Sequence, residues 1–130
     1  MYRTPQMKQE SEKTLEARLV REIEARGGMA LKYTSQYHRG IPDRICLLPP
    51  GVLTFVELKS TGQKPTKLQM HAMDKLFMLG FDCKVIDSTE SLNEYLAAVD
   101  ATLEMLPDLT QKREEMLEEM GLICPEIRKV

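Results

Sequence analysis

The sequence predicts an α/β fold in which a small mixed β-sheet is flanked by helices. Its length of 130 residues is about that of one domain. Long stretches with apolar residues three or four positions apart predict helices, and four short apolar runs predict strands. Because helices and strands alternate along the chain, we expect helices to cover the sheet.

The first helix and the first strand are separated by two glycines. Apolar residues at helical spacing predict a helix over residues 11–26, and Gly27-Gly28 provides its C-terminal stop. Residues 29–34 predict a short strand. Residues 35–42 predict a loop, because glycine and proline within them break regular structure.

The other elements are a hairpin, a helix, a strand and two further helices. The hairpin strands flank a Pro-Pro-Gly turn, the next helix ends at Gly80, and Ser88 or Ser91 is the N-cap of the helix after it. The order is therefore α-β-β-β-α-β-α plus a C-terminal helical extension. Predicted spans are 43–48, 52–59, 66–79, 82–87, 88–106 and 109–120. The apolar face predicted for the helix over 66–79 contains Leu68, Ala72, Met73, Leu76 and Phe77.

The hairpin brings charged residues together. With the turn centred on Pro50, antiparallel register places Asp43 opposite Glu57, and Lys59 shares the face of Glu57. Two adjacent carboxylates repel unless a cation lies between them. Mg²⁺ prefers such oxygen ligands, and a nearby lysine can orient water and neutralise phosphoryl charge. The same register pairs Ile45 with Phe55 and Leu47 with Leu53.

A more ordinary interpretation of Glu57 and Lys59 is a solvated pair on an exposed strand face. Two features favour catalysis over it. Glu57 interrupts an otherwise apolar strand, and a Pro-Asp dipeptide lies at the matching position of the partner strand. The pattern therefore indicates a phosphodiester hydrolysis centre.

These motifs resemble the PD-(D/E)XK nuclease superfamily. The sequence G-I-P-D at 40–43, V-E-L-K at 56–59 and Gln69 near a helix start are similar above all to the VRR-NUC family, especially its small stand-alone phage and bacterial members. The resemblance covers about residues 12–99 and implies a restriction-endonuclease-like core. It divides the chain into an N-terminal tail (1–10), a nuclease domain (11–100) and a C-terminal helical extension and tail (101–130).

The resemblance implies a metal-dependent DNA endonuclease. Such enzymes use Mg²⁺ or Mn²⁺, leave 5′-phosphate ends, resemble Holliday-junction resolvases in selecting branched DNA, and act as homodimers. The implied metal ligands are Asp43, Glu57, the main-chain carbonyl of Leu58 and, directly or through water, Glu16. The implied catalytic residues are Glu16, Asp43, Glu57, Lys59 and Gln69. Glu16 lies beside the apolar face of its helix, so we also expect a metal or another cation near it.

Basic residues around this site could contact DNA phosphates, or could be merely solubilising charge. An alternative function is a catalytically silent DNA-binding or assembly module, although such a module has no physical need for crowded carboxylates. A metal-independent RNA-cleaving relative would need a tyrosine, histidine and lysine set instead. The candidate DNA contacts are His38, Arg39, Arg44, Lys64 and Lys67.

Charge is distributed unevenly along the chain. Residues 1–70 contain 12 Lys/Arg and 7 Asp/Glu, whereas residues 71–130 contain 6 and 13, so a net charge of −2 conceals a basic first half. This predicts salt-sensitive DNA binding. No apolar run approaches a membrane span, and three widely spaced cysteines favour a reducing compartment. We expect the cytoplasm of a bacterial or phage-infected cell, and no membrane partner.

Overall fold

The computed structural model describes residues 9–123, apart from the side chains of residues 107–110. Its element order confirms the predicted one. The elements are α1 (Glu12–Ala25), β1 (Met29–Lys32), β2 (Arg44–Leu48), β3 (Val52–Leu58), α2 (Lys67–Met78), β4 (Asp82–Ile86), α3 (Thr89–Met105) and α4 (Pro107–Glu119). Within residues 9–123, no helix has both the length and the apolar character needed to cross a membrane.

The four strands form one mixed sheet in the order β1-β2-β3-β4. The first three strands are antiparallel neighbours, and β4 is parallel to β3 because α2 carries the chain back across the sheet. In the hairpin, Ile45 pairs with Phe55 and Leu47 with Leu53, which confirms the predicted register. The predicted mixed α/β architecture is thus present in the described residues.

The two faces of the sheet differ in their covering. The apolar even-numbered residues of β2 and β3 face α1 and α3 and form the core with apolar residues of these helices, with Val52 half-buried at its edge. Helix α2 lies over the opposite face, where the Met73 carbonyl accepts from the Cys83 thiol at 3.9 Å. The central core residues are Leu15, Leu19, Ile23, Cys46, Leu48, Val56, Leu58, Ile86, Leu92, Tyr95, Leu96 and Val99.

Helix α1 begins and ends where its capping residues require. The Ser11 hydroxyl accepts from the Thr14 amide at 3.1 Å. At the other end, Gly27 has φ +79°, which confirms the predicted stop. A Cβ on Gly28 would lie 2.4 Å from the Leu47 carbonyl oxygen, so only glycine allows α1 to pass this close to β2.

Helix α2 is less buried than its apolar pattern predicted. Ala72 is buried and Met73 and Leu76 are half-buried, but Leu68 and Phe77 are 50% and 71% exposed. The physical reason is that α2 packs on β4, the edge strand, so the sheet ends beneath it. The prediction of one continuous packed face was therefore wrong for these two residues.

The C-terminal helices continue past the nuclease core. Ser88, rather than Ser91, is the N-cap of α3. Helix α3 runs without a break to Met105, beyond the predicted domain boundary at residue 100, and Pro107 occupies the first turn of α4. The division into domains stays a proposal.

Candidate active site

Asp43 lies directly before β2, and one of its carboxylate oxygens is buried without a hydrogen-bond partner among the described residues. Its main-chain carbonyl accepts from the Tyr33 amide at 2.7 Å, and the preceding Pro42 is fully buried. The side-chain oxygen Oδ1 is buried and has no hydrogen-bond partner among the described residues. Burying an unpaired carboxylate oxygen is costly, so this position calls for a ligand that the protein itself does not provide.

Glu57 lies near the C-terminal end of β3, in the position that the register predicted. The hairpin ladder ends at the pair Arg44–Val56, so the next position outward brings Asp43 beside Glu57. Glu57 is only 6% exposed. Its Oε1 accepts from the Gln69 side-chain amide at 2.9 Å and pairs with the Lys59 ammonium at 3.3 Å.

The surroundings of Glu57 raise its pKa. Burial is the largest cause, because it penalises the charged form. The hydrogen bond from Lys59 and the charge of Lys59 act in the opposite direction, while the negative charges of Asp43 and Glu12 add to the rise. The loss of hydration around Glu57 therefore outweighs the stabilisation that Lys59 gives to its charged form.

Both the oxygen and the nitrogen of the Gln69 side-chain amide form hydrogen bonds. Its side-chain oxygen accepts from the main-chain amide of Thr66 at 2.9 Å, and the main-chain amide of Gln69 donates to the Thr66 hydroxyl at 3.2 Å. This capping box leaves the side-chain nitrogen to donate to Glu57. This double role of Gln69 was not predicted, although Thr-x-x-Gln before an apolar helix is the usual signature of a capping box.

Glu16 forms an ion pair with Arg44 across α1 and β2. Arg44 is 6% exposed, so it is the cation expected near Glu16. A buried guanidinium held by a carboxylate is poorly placed to reach a DNA phosphate, and we therefore assign Arg44 to the support of Glu16. Glu12, one turn before Glu16, was not predicted as a site residue, but its charge acts on Glu57.

The chain beyond Lys59 is fixed by the N-terminal segment. Thr61 donates from its amide to the Glu10 carbonyl at 3.1 Å, and its hydroxyl accepts from the Glu10 amide at 2.9 Å and donates to the Asp87 carbonyl at 3.0 Å. The Glu10 carboxylate also accepts from the amide of Thr89, the first residue of α3, at 2.5 Å. Glu10, predicted to belong to a tail, thus connects the segment after Lys59 to α3.

The remaining candidate DNA contacts are exposed. His38 and Arg39 lie in the loop before Asp43, while Lys64 lies before α2 and Lys67 begins it. All four side chains are accessible to a ligand that approaches the site.

The residues present fit a hard divalent cation. Within residues 9–123, no cluster of three or more His, Cys, Asp and Glu side chains is suited to hold a metal. The side-chain donors are instead the two carboxylates Asp43 and Glu57, and Mg²⁺ commonly takes one or two protein carboxylates. A cation would satisfy the unpaired Asp43 oxygen and offset the charge on Glu57. Mg²⁺ or Mn²⁺ therefore suits this donor set.

Comparisons with known proteins indicate the family of the chain. No family model matches the chain. The chain is 43% identical over 89 residues to "Putative nuclease p44" of Acyrthosiphon pisum secondary endosymbiont phage 1, an alignment that covers 68% of the chain and 95% of that relative. A solved structure described as a VRR_NUC domain matches with a TM-score of 0.64 and 24% identity, over 68% of this chain and 97% of that one. The identity to a nuclease and the shared fold together show that the chain belongs to the VRR-NUC family of nucleases.

Proposed function

We propose that this nuclease is a divalent-metal-dependent endonuclease that hydrolyses DNA, selects branched structures and leaves 5′-phosphate ends. The observation that carries the proposal is the buried, unpaired Asp43 oxygen beside a buried Glu57. Asp43, Glu57 and the main-chain carbonyl of Leu58 would hold Mg²⁺ or Mn²⁺. When bound, the ion supplies Lewis-acid stabilisation of charge on the phosphoryl oxygens.

The protein's own groups position the reactants. Lys59, held by Glu57 and about one-fifth exposed, can orient an attacking water and neutralise charge on the phosphate. Gln69 fixes the rotamer of Glu57 from the first turn of α2. Glu16, with one oxygen on Arg44, would support the metal directly or through water. Water forms a bond to phosphorus as the bond to the 3′-oxygen breaks, which leaves the phosphate on the 5′ end.

Charge and exposure support DNA as the substrate. The first 70 residues contain the whole site and an excess of five basic residues. His38, Arg39, Lys64 and Lys67 are exposed near the site and are our proposed phosphate contacts. A homodimer would supply two such sites for the two strands of a junction. The side chains of Met78 and Leu79, 82% and 73% exposed, support an interface at the end of α2.

The test is cleavage of labelled DNA of one sequence as duplex, nicked duplex, flap and four-way junction, with Mg²⁺, Mn²⁺ or chelator. We expect cleavage in either metal, none in chelator, and the fastest cleavage on a branched substrate. Equal cleavage rates on all four substrates would contradict the proposed selectivity for branched DNA. If the protein bound these DNAs but cut none with either metal, a silent DNA-binding module would replace the endonuclease.

A further inference from the structure

We propose that Tyr37 is a specificity-determining residue that stacks on an unpaired or unstacked DNA base near the cleavage site. The inference rests on the proposed function, and it names what distinguishes a branched substrate from intact duplex. It concerns residues 34–42, which we term the site loop. Three features of this loop carry the inference: its closure at Asp43, its contact with α2 and the exposure of its tip.

Both ends of the site loop meet at the proposed metal ligand. The amide of Tyr33, directly before the loop, donates to the carbonyl of Asp43, directly after it, at 2.7 Å. Inside the loop, the His38 amide donates to the Ser35 hydroxyl at 3.1 Å and closes a turn around Tyr37. The position of the loop tip is therefore tied to the position of Asp43.

The site loop also rests on the helix that holds Gln69. Gly40 has φ +84°, and a Cβ there would lie 2.6 Å from the Leu68 carbonyl oxygen and 3.1 Å from the Gln69 amide nitrogen. Only glycine permits this backbone contact. The loop is thus braced between Asp43 and Gln69, and its tip is held in a fixed relation to the site.

Tyr37 projects from this braced loop and is almost fully exposed among the described residues. It is 90% exposed, compared with 45% for Tyr33 and 4% for Tyr95. The next two residues, His38 and Arg39, are also exposed. An exposed ring beside cationic or polar side chains is the arrangement by which proteins stack on bases while contacting the backbone.

A stacking ring favours substrates in which a base face is open. Inside a duplex both faces of each base are covered, whereas the stack of bases is interrupted or easily opened at a nick, a flap or a branch point. Tyr37 is six residues from Asp43 and so at most about 20 Å away along the chain. At about 3.4 Å per nucleotide, the stacked base would lie within about six nucleotides of the scissile bond. Tyr37 would therefore place cleavage close to the branch point.

The test compares Tyr37→Ala, Tyr37→Phe and wild type on four-way-junction and duplex DNA of the same sequence. We expect Tyr37→Ala to lower the ratio of junction to duplex cleavage at least about fivefold, and Tyr37→Phe to retain it, because stacking needs the ring and not the hydroxyl. The matched control is Gln36→Ala, an exposed neighbour in the same loop, which should leave the ratio unchanged. The unfolding midpoint of Tyr37→Ala should equal that of wild type, since the side chain is 90% exposed.

A second readout separates this inference from the proposed catalysis. With 2-aminopurine at the branch point and chelator present, wild type and Tyr37→Phe should quench the fluorescence on binding, and Tyr37→Ala should not. If wild type cut no substrate, the proposed function would fail and this binding signal would still decide the role of Tyr37. A Tyr37→Ala variant with the wild-type cleavage ratio, or with wild-type quenching, would overturn the inference.

Discussion

Asp43→Asn should lower the single-turnover rate of DNA cleavage roughly 10³-fold, more than the 10- to 100-fold typical of groups that only orient a ligand. The substitution keeps the size of the side chain and removes its charge. In the wild type, the buried Oδ1 has no partner among the described residues, so the free-energy cost of burying it is offset only when a cation binds. An amide presents one neutral oxygen there, which is a far weaker ligand for Mg²⁺.

The matched control is Asp82→Asn, because the side chain of Asp82 on β4 is 57% exposed. This control should cleave within about twofold of wild type, as exposed substitutions away from a site have small effects. In thermal unfolding, Mn²⁺ should raise the midpoint of wild type and of the control but not of Asp43→Asn. Cleavage by Asp43→Asn at the wild-type rate would show that Asp43 is not part of the active site.

Glu57→Gln should eliminate cleavage while making the metal-free protein more stable at pH values above the raised pKa of Glu57. Burial raises the pKa of Glu57, so the folded protein binds its proton more tightly than the unfolded chain does. Between the ordinary glutamate pKa of about 4.5 and the raised value, the folding stability of wild type therefore falls as pH rises. A glutamine has no charge to bury, so the variant escapes this loss, and the oxygen of its side-chain amide can still accept from the Gln69 side-chain nitrogen.

Thermal or denaturant unfolding between pH 4 and pH 8, with chelator present, measures this effect. The difference in unfolding free energy between Glu57→Gln and wild type should increase with pH and level off above the raised pKa. Glu94→Gln, an exposed substitution on α3, should show no such trend. If Glu57→Gln were less stable than wild type at pH 8, the charged form of buried Glu57 would not be destabilising the folded protein, which would contradict this assignment.

The hairpin and the residues it aligns could be predicted from the sequence because their placement follows local rules. A Pro-Pro-Gly turn fixes where the chain reverses, and the two-residue period of a strand then determines which side chains share a face. Asp43, Glu57 and Lys59 were placed in this way, and the helical period placed Gln69 in the first turn of α2. The pairing of Ile45 with Phe55 confirms that register.

What the sequence did not reveal depends on contacts between distant parts of the chain. The ion pair of Glu16 with Arg44 joins residues 28 positions apart, and the bonds of Glu10 to Thr61 and Thr89 join residues 51 and 79 apart. The periodicity of apolar residues does not encode such pairs, because they depend on how the helices pack on the sheet. The exposure of α2 was missed for the same reason, since its position over the edge strand is a property of the sheet.

The proposed mechanism of DNA hydrolysis depends most on Lys59 acting with a divalent metal in one site. The direct measurement is single-turnover cleavage of the best DNA substrate by wild type, Lys59→Met and Lys84→Met, each with Mg²⁺ and with chelator. Lys84 lies on β4, and its side chain, 43% exposed, pairs with Asp82. We predict cleavage by wild type and Lys84→Met in Mg²⁺ only, and at least about 100-fold slower cleavage by Lys59→Met with DNA binding retained. Cleavage at the wild-type rate by Lys59→Met, or by wild type in chelator, would contradict the account.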